Sequence, residues 1–338
     1  MFKEYLEKIC DREDLTRTEA AHALEIIISE EPTATEIGAF LAGLRVKSEA
    51  ISELSGFADT MEKHMVSVKL DDPDAIDVCG TGGDGKHTFN VSTTVAFVAA
   101  AAGVTVAKHG NRSVSSKSGS ADVLEKLGAK IDLLPEQTAN CIKETGIGFF
   151  FAPLYHPAMR VIIPHRKNLG IRTFFNMLGP LLNPAKVKRQ LIGAYNLETA
   201  DKLIRVLQTR GSIKACTVHS SDGLDEVSPF EKSHFFEIKS GTAGVQSTEF
   251  VPPPFKYKKK TIAGGDSAEN AQIILDVLKG KESPEYQITI LNSAFALYVG
   301  EKADSVEAGL EKAQEVVKNG SALQKLNDYV QLTKKISA

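Results

Sequence analysis

The chain has 338 residues, of which 42% are hydrophobic and 25% charged, a composition typical of one large or two ordinary globular domains. Its formal net charge of −3 argues against general binding to nucleic acid or to a membrane surface. The first residues lack the apolar run of a signal peptide, and the four cysteines, at positions 10, 79, 141 and 216, show neither metal-ligand spacing nor a disulfide framework. We therefore expect a cytoplasmic protein with no membrane or nucleic-acid partner.

Residues 1–70 are predicted to form a small helical domain. Apolar residues recur at helical spacing from the first residues onward. Thr16 and Thr33 each stand three residues before a glutamate, the pattern of a capping box, and Ser48 could cap a fourth helix. Four short helices bury only a small core, so we expect part of residues 160–190 to complete this domain and a second subunit to pair with it.

Residues 71–338 show a different pattern, in which short apolar runs alternate with helical ones after a polar linker at 71–74. The candidate strands are 75–79, 104–108, 147–151, 190–195 and 214–219. The candidate helices are 93–102, 121–127, 135–145, 199–210, 268–278, 285–299 and 303–319. This alternation predicts an α/β domain with a mostly parallel sheet, in which ligands bind at the carboxyl ends of the strands.

A glycine loop follows the first candidate strand and precedes a helix that Ser92 or Thr93 could cap. It has glycines at positions 80, 82, 83 and 85. Flexible backbone with free N–H groups before a helix favours a phosphate, although glycines that serve only a tight turn are an alternative. The loop does not have the P-loop pattern, and its G-x-G-x-x-G match is weak alone. Asp84 would repel a bare diphosphate, so we expect it to hold ribose hydroxyls or a cation.

A second loop, residues 108–122, is basic and rich in serine. It contains three cations, five serines and two glycines, and Ser120 could cap the helix that follows. Such loops are often mobile surface. This loop, however, follows another candidate strand, so its end should lie near the glycine loop. We therefore predict that it contributes to the phosphate site.

Residues 156–176 mix cations with aromatic side chains. An arginine beside an apolar wall can hold the carboxylate of an aromatic acid. From this segment alone, however, a cationic helix face with Arg160 or Arg172 in surface ion pairs is the favoured interpretation.

The acidic turn at 222–226 follows the last candidate strand. An Asp-Glu pair is commonly a solvated turn. Here the two loops predict a polyphosphate that needs a cation, and adjacent carboxylates could share Mg²⁺ with it.

Together these segments closely resemble the anthranilate phosphoribosyltransferases. The resemblance runs over most of the chain. The matching segments are GTGGD at 80–84, NVST at 90–93, KHGNR at 108–112, GSADVLE at 119–125, HPAMR at 156–160, RKxLGIRT at 166–173, NxLGPLxNP at 176–184, GLDE at 223–226, ENA at 269–271 and LNSA at 291–294, where x marks a position outside the match.

The resemblance implies a nucleoside-phosphorylase-like homodimer, with a small helical domain at 1–70 and a large α/β domain at 71–338. It also implies a reaction of tryptophan biosynthesis that depends on Mg²⁺. The phosphoribosyl group of phosphoribosyl diphosphate would pass to the amine of anthranilate, giving N-(5-phosphoribosyl)anthranilate and diphosphate.

The resemblance further implies the site residues. Phosphoribosyl diphosphate would be held by Gly80, Gly83, Asp84, Thr88, Asn90, Ser92, Thr93, Lys108 and Ser120. The anthranilate path would be lined by His109, Asn111, His156, Arg166 and Gly179, and Arg166 would bind the carboxylate of anthranilate. Mg²⁺ would be bound by Ser92, Asp225 and Glu226. No catalytic general base is expected, because the anthranilate amine is neutral at pH 7 and can attack without a strong one.

Three residues depart from the family pattern. His165 and Ser293 stand where an apolar residue and an alanine are usual, and Tyr155 precedes His156 beside the expected acceptor site. His165 and Tyr155 could alter which benzoates are accepted.

Two other functions compete with this interpretation. A pyrimidine nucleoside phosphorylase has a similar fold and similar first two loops, but the Asp225–Glu226 pair and the 166–173 segment argue against it. A nucleic-acid-binding relative should be basic and should lack the acidic pair, whereas this chain has a net charge of −3.

Overall fold

The computed structural model describes residues 1–113, 117–239, 241–242, 244–258 and 262–337. The helices are α1 (Phe2–Cys10), α2 (Arg17–Ile28), α3 (Ala34–Lys47), α4 (Ile51–Lys63), α5 (Val91–Ala101), α6 (Ser120–Lys126), α7 (Pro135–Thr145), α8 (Ala152–Tyr155), α9 (Met159–Leu169), α10 (Phe175–Leu178), α11 (Leu197–Thr209), α12 (Ser267–Leu278), α13 (Pro284–Val299), α14 (Val306–Lys318) and α15 (Ser321–Ile336). The strands are β1 (Ile76–Gly80), β2 (Val106–Gly110), β3 (Ile147–Phe151), β4 (Arg189–Gly193), β5 (Lys214–Ser220), β6 (Ser233–Ile238) and β7 (Gln246–Phe250). Within these residues no helix has both the length and the apolar character needed to span a membrane.

The strands form one sheet in the order β3-β2-β1-β4-β5-β6-β7. The first five are parallel, and β6 and β7 add an antiparallel edge, so the predicted mostly parallel sheet is confirmed. The sequence analysis missed β6 and β7. Most of β7 is exposed, so its sequence carries no apolar pattern from which a strand could be predicted.

The amino-terminal helices begin largely as their capping patterns predict. Thr16 and Thr33 both form complete capping boxes, at the starts of α2 and α3. The prediction for α4 was wrong: Ala50 is its N-cap residue, and the Ser48 hydroxyl instead donates to Glu198 at 2.7 Å. Ser48 is instead the C-cap residue of α3, with a backbone φ of +71°.

The apolar faces of α1–α4 pack into one hydrophobic cluster with side chains from later in the chain. These side chains include Ile162 of α9 and Phe174, which stacks on Phe57 with ring centroids 4.1 Å apart. Leu203 of α11 lies in the same cluster, and α11 packs against β5 and β6 of the sheet. The segment between α9 and α10 is therefore held between the helical layer and the strands.

Helix α5 is buried on nearly all sides and packs against β1, α13 and α15. It begins two residues earlier than a Ser92 cap would allow, with Asn90 as its N-cap residue and no side-chain capping bond. Ser92 and Thr93 therefore lie in its first turn and do not cap it. Likewise Ser120 is the first residue of α6, after Gly119 at the N-cap.

The order of the strands reverses at β1: β2 and β3 lie on one side of it in the sheet, and β4 and the later strands lie on the other. Ligands of open α/β sheets bind beyond the carboxyl ends of the strands at such a reversal. Gly80, Gly110, Gly193 and Ser220 end the four strands around it. The predicted glycine loop, second loop and acidic turn all follow these residues.

Candidate active site

The glycine loop follows β1 and is fixed against a distant segment. Its glycines at positions 82, 83 and 85 have φ between +63° and +82°, which side chains other than glycine rarely adopt. Thr88 forms an isolated antiparallel bridge with Ala263, and the N–H of Gly264 donates to the carbonyl of His87 at 2.8 Å. The loop therefore presents its backbone to solvent while its far end is anchored.

Lys108 extends from β2 beneath the start of α5. Its Nζ donates to the carbonyl of Val78 at 2.6 Å and to Ser92 Oγ at 3.1 Å. Burial lowers the pKa of this lysine, although the buried Asp77 opposes the shift. The hydroxyl of Thr93, one residue further along, is buried without a hydrogen-bond partner. The structure thus brings three predicted donor-site residues together.

The acidic turn approaches β1 and β4 very closely. A side chain at Gly80 would place its Cβ 3.1 Å from Asp225 Oδ2, so the glycine leaves room for the carboxylate. Asp84 lies close by: its Oδ1 accepts from the N–H of Lys86 at 3.0 Å, while its Oδ2 is buried without a hydrogen-bond partner. Glu226 lines the same small cavity as Ser92 and Gly193.

Asp225 and Glu226 strongly disfavour their charged forms. Burial, and then the charge of Asp84, raise the pKa of Asp225 to about 7. Burial, and then the charge of Asp225, raise the pKa of Glu226 well above its ordinary value. Buried carboxylates normally have a cationic partner, and here Lys108 opposes the shift in the pKa of Glu226 only in part.

This arrangement fits a hard divalent cation. Mg²⁺ is commonly held by one or two carboxylates, with water and substrate phosphate completing its six oxygen ligands. Among the described residues, no group of three or more His, Cys, Asp and Glu side chains is arranged to hold a metal unaided. The oxygens of Asp225, Glu226 and the Ser92 hydroxyl, together with those of a diphosphate, would be the ligands of the cation.

On the other side of β2, two histidines contact each other. His109 Nδ1 lies 3.1 Å from the carbonyl oxygen of Gly179, and His109 Nε2 lies 3.1 Å from His156 Nε2. Because a carbonyl only accepts, we assign the proton of His109 to Nδ1, so that His156 donates to its Nε2. Burial lowers the pKa of His109 to about 3 and that of His156 to about 4, so both rings are neutral at pH 7.

Gly179 borders open space. A Cβ added there would meet no atom within 4 Å. Behind the histidines, Asp77 accepts from the backbone N–H of His109 at 3.1 Å and from Asn183 Nδ2 at 2.8 Å. This buried carboxylate ties the end of β2 to the segment that carries Gly179.

Arg166 is on α9 and contacts α10, the short helix that immediately precedes Gly179. Its guanidinium lies over the ring of Phe175, 5.5 Å from the centroid, and its Nη2 is 3.5 Å from Asn176 Oδ1. Burial lowers the pKa of Arg166, and no carboxylate is paired with it among the described residues. A half-buried arginine in such surroundings favours binding of an external carboxylate.

The second loop is described except for residues 114–116. The backbone carbonyl of Asn111 accepts from Ser120 Oγ at 3.2 Å, so these two predicted residues are adjacent. Arg112 forms ion pairs with Asp122 and Glu125 on α6. Its charge is therefore paired with carboxylates of the helix that follows the loop.

Two interpretations from the sequence were wrong. Tyr155 is buried in a core cluster with Phe150, and its hydroxyl donates to Thr138 Oγ1 at 2.9 Å, so it does not face the acceptor site. Arg172 is not in a surface ion pair within the described residues: its guanidinium donates to the carbonyl of Gly83 and lies 4.6 Å from the ring centroid of Tyr195. It therefore links the α9–α10 segment to the glycine loop.

Comparisons with known proteins agree with this geometry. The α/β domain of a glycosyl transferase family matches residues 72–323, and the helical bundle domain of a glycosyl transferase family matches residues 3–65. A relative from Salinibacter ruber, named anthranilate phosphoribosyltransferase, is 46% identical over 97% of both chains.

Solved structures extend the comparison to the fold. The anthranilate phosphoribosyltransferase of Thermus thermophilus is 34% identical, with a TM-score of 0.89 over 97% of this chain and 99% of that one. The Saccharomyces cerevisiae enzyme, solved in complex with PRPP and Mg, is 28% identical, with a TM-score of 0.88 over 99% of this chain and 98% of that one. The small helical and larger α/β parts of the predicted fold class are thereby confirmed. The chain belongs to the anthranilate phosphoribosyltransferase family.

Proposed function

We propose that this chain transfers the phosphoribosyl group of phosphoribosyl diphosphate to the amine of anthranilate, with Mg²⁺ as cofactor, in tryptophan biosynthesis. The observation that carries the proposal is the meeting of a glycine loop and a buried acidic pair at the reversal of the sheet, on a strand edge that also carries a pair of neutral histidines. The names of the relatives and the yeast complex with PRPP and Mg support it.

The donor would bind between the first two loops. Backbone groups at Gly80 and Gly83 and the start of α5 would face the diphosphate, since exposed N–H groups and a helix N-terminus favour an anion. The proposed side-chain contacts come from Asp84, Thr88, Asn90, Ser92, Thr93, Lys108 and Ser120. Mg²⁺, when bound by Ser92, Asp225 and Glu226, would stabilise the charge that develops on the leaving diphosphate.

Anthranilate would occupy the space beside Gly179. The absence of a side chain there leaves room for its ring, and Arg166 would hold its carboxylate. His109 and His156 would line the same space together with Asn111. Because both histidines are neutral, they would line this space without repelling or attracting charge.

Catalysis would then depend on positioning and on charge. The aromatic amine of anthranilate is neutral at pH 7 and attacks C1′ of the ribose as the bond to diphosphate breaks. Well-oriented encounter of this kind can lower a barrier by about 7–11 kcal/mol. The proton of the amine leaves only after the new C–N bond has formed, so no strong general base is needed.

We further propose a cytoplasmic homodimer, in which residues 1–70 and part of 160–190 form one domain and residues 71–338 the other. Free thiols at all four cysteines support a reducing compartment. Val46, Ile163 and Ile171 are 74%, 52% and 44% exposed, which supports a contact surface on the helical domain. Sedimentation velocity of the purified chain tests the dimer, and a single species of monomer mass would contradict it.

The activity is tested by mixing the purified chain with anthranilate, phosphoribosyl diphosphate and Mg²⁺ while anthranilate fluorescence is followed. We expect a loss of signal that needs all three components and stops when EDTA is added. Folded protein that gives no loss would contradict the proposed acceptor, and phosphorolysis of nucleosides and binding of nucleic acid would then be measured.

A further inference from the structure

Asn270 lies in the first turns of α12, beneath the proposed donor site, and is 1% exposed. Its Nδ2 donates to Asn90 Oδ1 at 2.9 Å, and its Oδ1 accepts from the backbone N–H of Gly265 at 2.8 Å. The amide nitrogen of Asn270 thus faces an acceptor, and its amide oxygen faces a donor. These two partners allow only one orientation of the Asn270 amide.

The orientation of Asn270 in turn determines that of Asn90. Because Asn90 Oδ1 faces Asn270, Asn90 Nδ2 points the other way and donates to the carbonyl of Ser118 at 3.2 Å. Ser118 is a buried residue of the second loop. One chain of hydrogen bonds therefore runs from Gly265 through the two asparagines to that loop.

The segment before α12 strengthens this connection. The Phe89 N–H donates to the carbonyl of Ile262 at 3.3 Å, next to the bridge between Thr88 and Ala263. Residues 262–265 therefore run alongside the end of the glycine loop. The hydrogen bond from Asn270 to Asn90 follows this pairing, at the point where the glycine loop meets α5.

We propose that Asn270 is a positioning residue of the donor site. It orients the Asn90 amide, and through Asn90 it holds the second loop beside the glycine loop. The inference rests on the proposed function, because it takes both loops as ligands of phosphoribosyl diphosphate. Asn270 acts without contacting the substrate, so its removal should weaken donor binding selectively.

The sharpest probe is Asn270→Asp, which preserves size and keeps an acceptor for the Gly265 N–H. It replaces the Nδ2 donor with an oxygen facing Asn90 Oδ1, so Asn90 has to turn its amide and release Ser118. We expect the KM for phosphoribosyl diphosphate to rise about tenfold, the effect of one lost hydrogen bond, while the KM for anthranilate changes less than twofold. An unchanged KM for the donor would overturn the inference.

Gln272→Ala is the matched control. Gln272 is exposed on the same helix and donates to Asp276 at 2.8 Å, one turn further along. Both KM values should stay within twofold of those of the original chain. An equal rise in the donor KM in this variant would overturn the inference, because disturbance of α12 would then be sufficient.

A double-mutant cycle tests whether Asn270 acts through Asn90. In an Asn90→Ala background, Asn270→Asp should raise the donor KM less than twofold further, because the side chain it orients is gone. A full tenfold increase in that background would overturn the proposed route.

Donor binding should also be measured by calorimetry with phosphoribosyl diphosphate and Mg²⁺ in the absence of anthranilate. A roughly tenfold weaker Kd for Asn270→Asp supports the inference even in a chain that does not consume anthranilate. An equal Kd in both proteins overturns it while leaving the proposed transfer reaction intact. Failure of the inference is thereby separated from failure of the proposed function.

Discussion

Gly193 ends β4 directly beneath the acidic turn, and Gly193→Ala tests how closely that turn must sit. A Cβ at this position would lie 1.6 Å from the carbonyl oxygen of Asp225 and 2.7 Å from its carbonyl carbon. Real Cβ atoms essentially never approach other heavy atoms closer than 3.0 Å. The backbone of Asp225 therefore has to retreat by roughly 1.5 Å, since backbone cannot swing aside as a flexible side chain would.

Such a retreat would move both proposed metal ligands of the turn. A displacement of about 1 Å in a positioned group can cost roughly 100-fold in rate, so we expect Gly193→Ala to lower kcat/KM by about that factor. It should also raise the Mg²⁺ concentration needed for half-maximal rate. Overpacking of this kind should reduce the free energy of unfolding by about 1–3 kcal/mol.

The assays are initial rates over a series of Mg²⁺ concentrations and equilibrium unfolding in urea. Gly38→Ala is the control, because a Cβ at this position in α3 meets only Leu169, at 3.9 Å. The control should keep its activity and gain up to about 1 kcal/mol of stability, as alanine favours a helix over glycine. A Gly193→Ala protein with the original rate and Mg²⁺ requirement would refute the close packing of the Asp225 backbone against Gly193 of β4.

Three further outcomes follow from the site. Asp225→Asn combined with Glu226→Gln should nearly abolish turnover while the circular dichroism of the fold persists, and near-normal activity would refute the metal role. Arg166→Ala should raise the KM for anthranilate more than that for phosphoribosyl diphosphate, whereas equal effects would remove Arg166 from the acceptor site. The pKa values of His109 and His156, about 3 and about 4, lie below the ordinary value of 6.5. Below pH 6.5 the unfolded chain therefore binds more protons than the folded chain, and the free energy of unfolding should decrease as the pH is lowered. Each histidine should account for roughly 2 kcal/mol between pH 6.5 and 5. His156→Gln should reduce the fall seen in urea unfolding at these two pH values, and an unchanged fall would contradict the pKa assigned to His156.

The predictions that succeeded depended on local patterns. Strand β3 and helix α7 have the predicted bounds, because an apolar run or a helical period is visible within a few residues. The capping boxes at Thr16 and Thr33 are equally local. The place of the glycine loop followed from the alternation of strands and helices, since the parallel strands that this predicts end at one edge of the sheet.

Other features depend on partners that are distant in sequence. Asn270 and Asn90 are separated by 180 positions, and no pattern near either one identifies the other. Arg172 likewise reaches Gly83 across 89 positions. Tyr155 was misassigned for a different reason: proximity in sequence to His156 does not determine the direction in which a side chain points.

The acidic turn holds a carboxyl group, that of Asp225, in a buried place that disfavours its charged form. The pKa of Asp225 is raised to about 7, so folding takes up protons that the unfolded carboxyl would release at neutral pH. In the absence of a cation, the stability that this group contributes therefore falls as the pH rises from about 4 towards 7. A ligand that binds only the folded chain offsets such a cost by mass action. The destabilised acidic turn and the proposed Mg²⁺–diphosphate complex therefore fit each other: Lys108 offsets the shift in the pKa of Glu226 only in part, and the substrate complex brings a further cation.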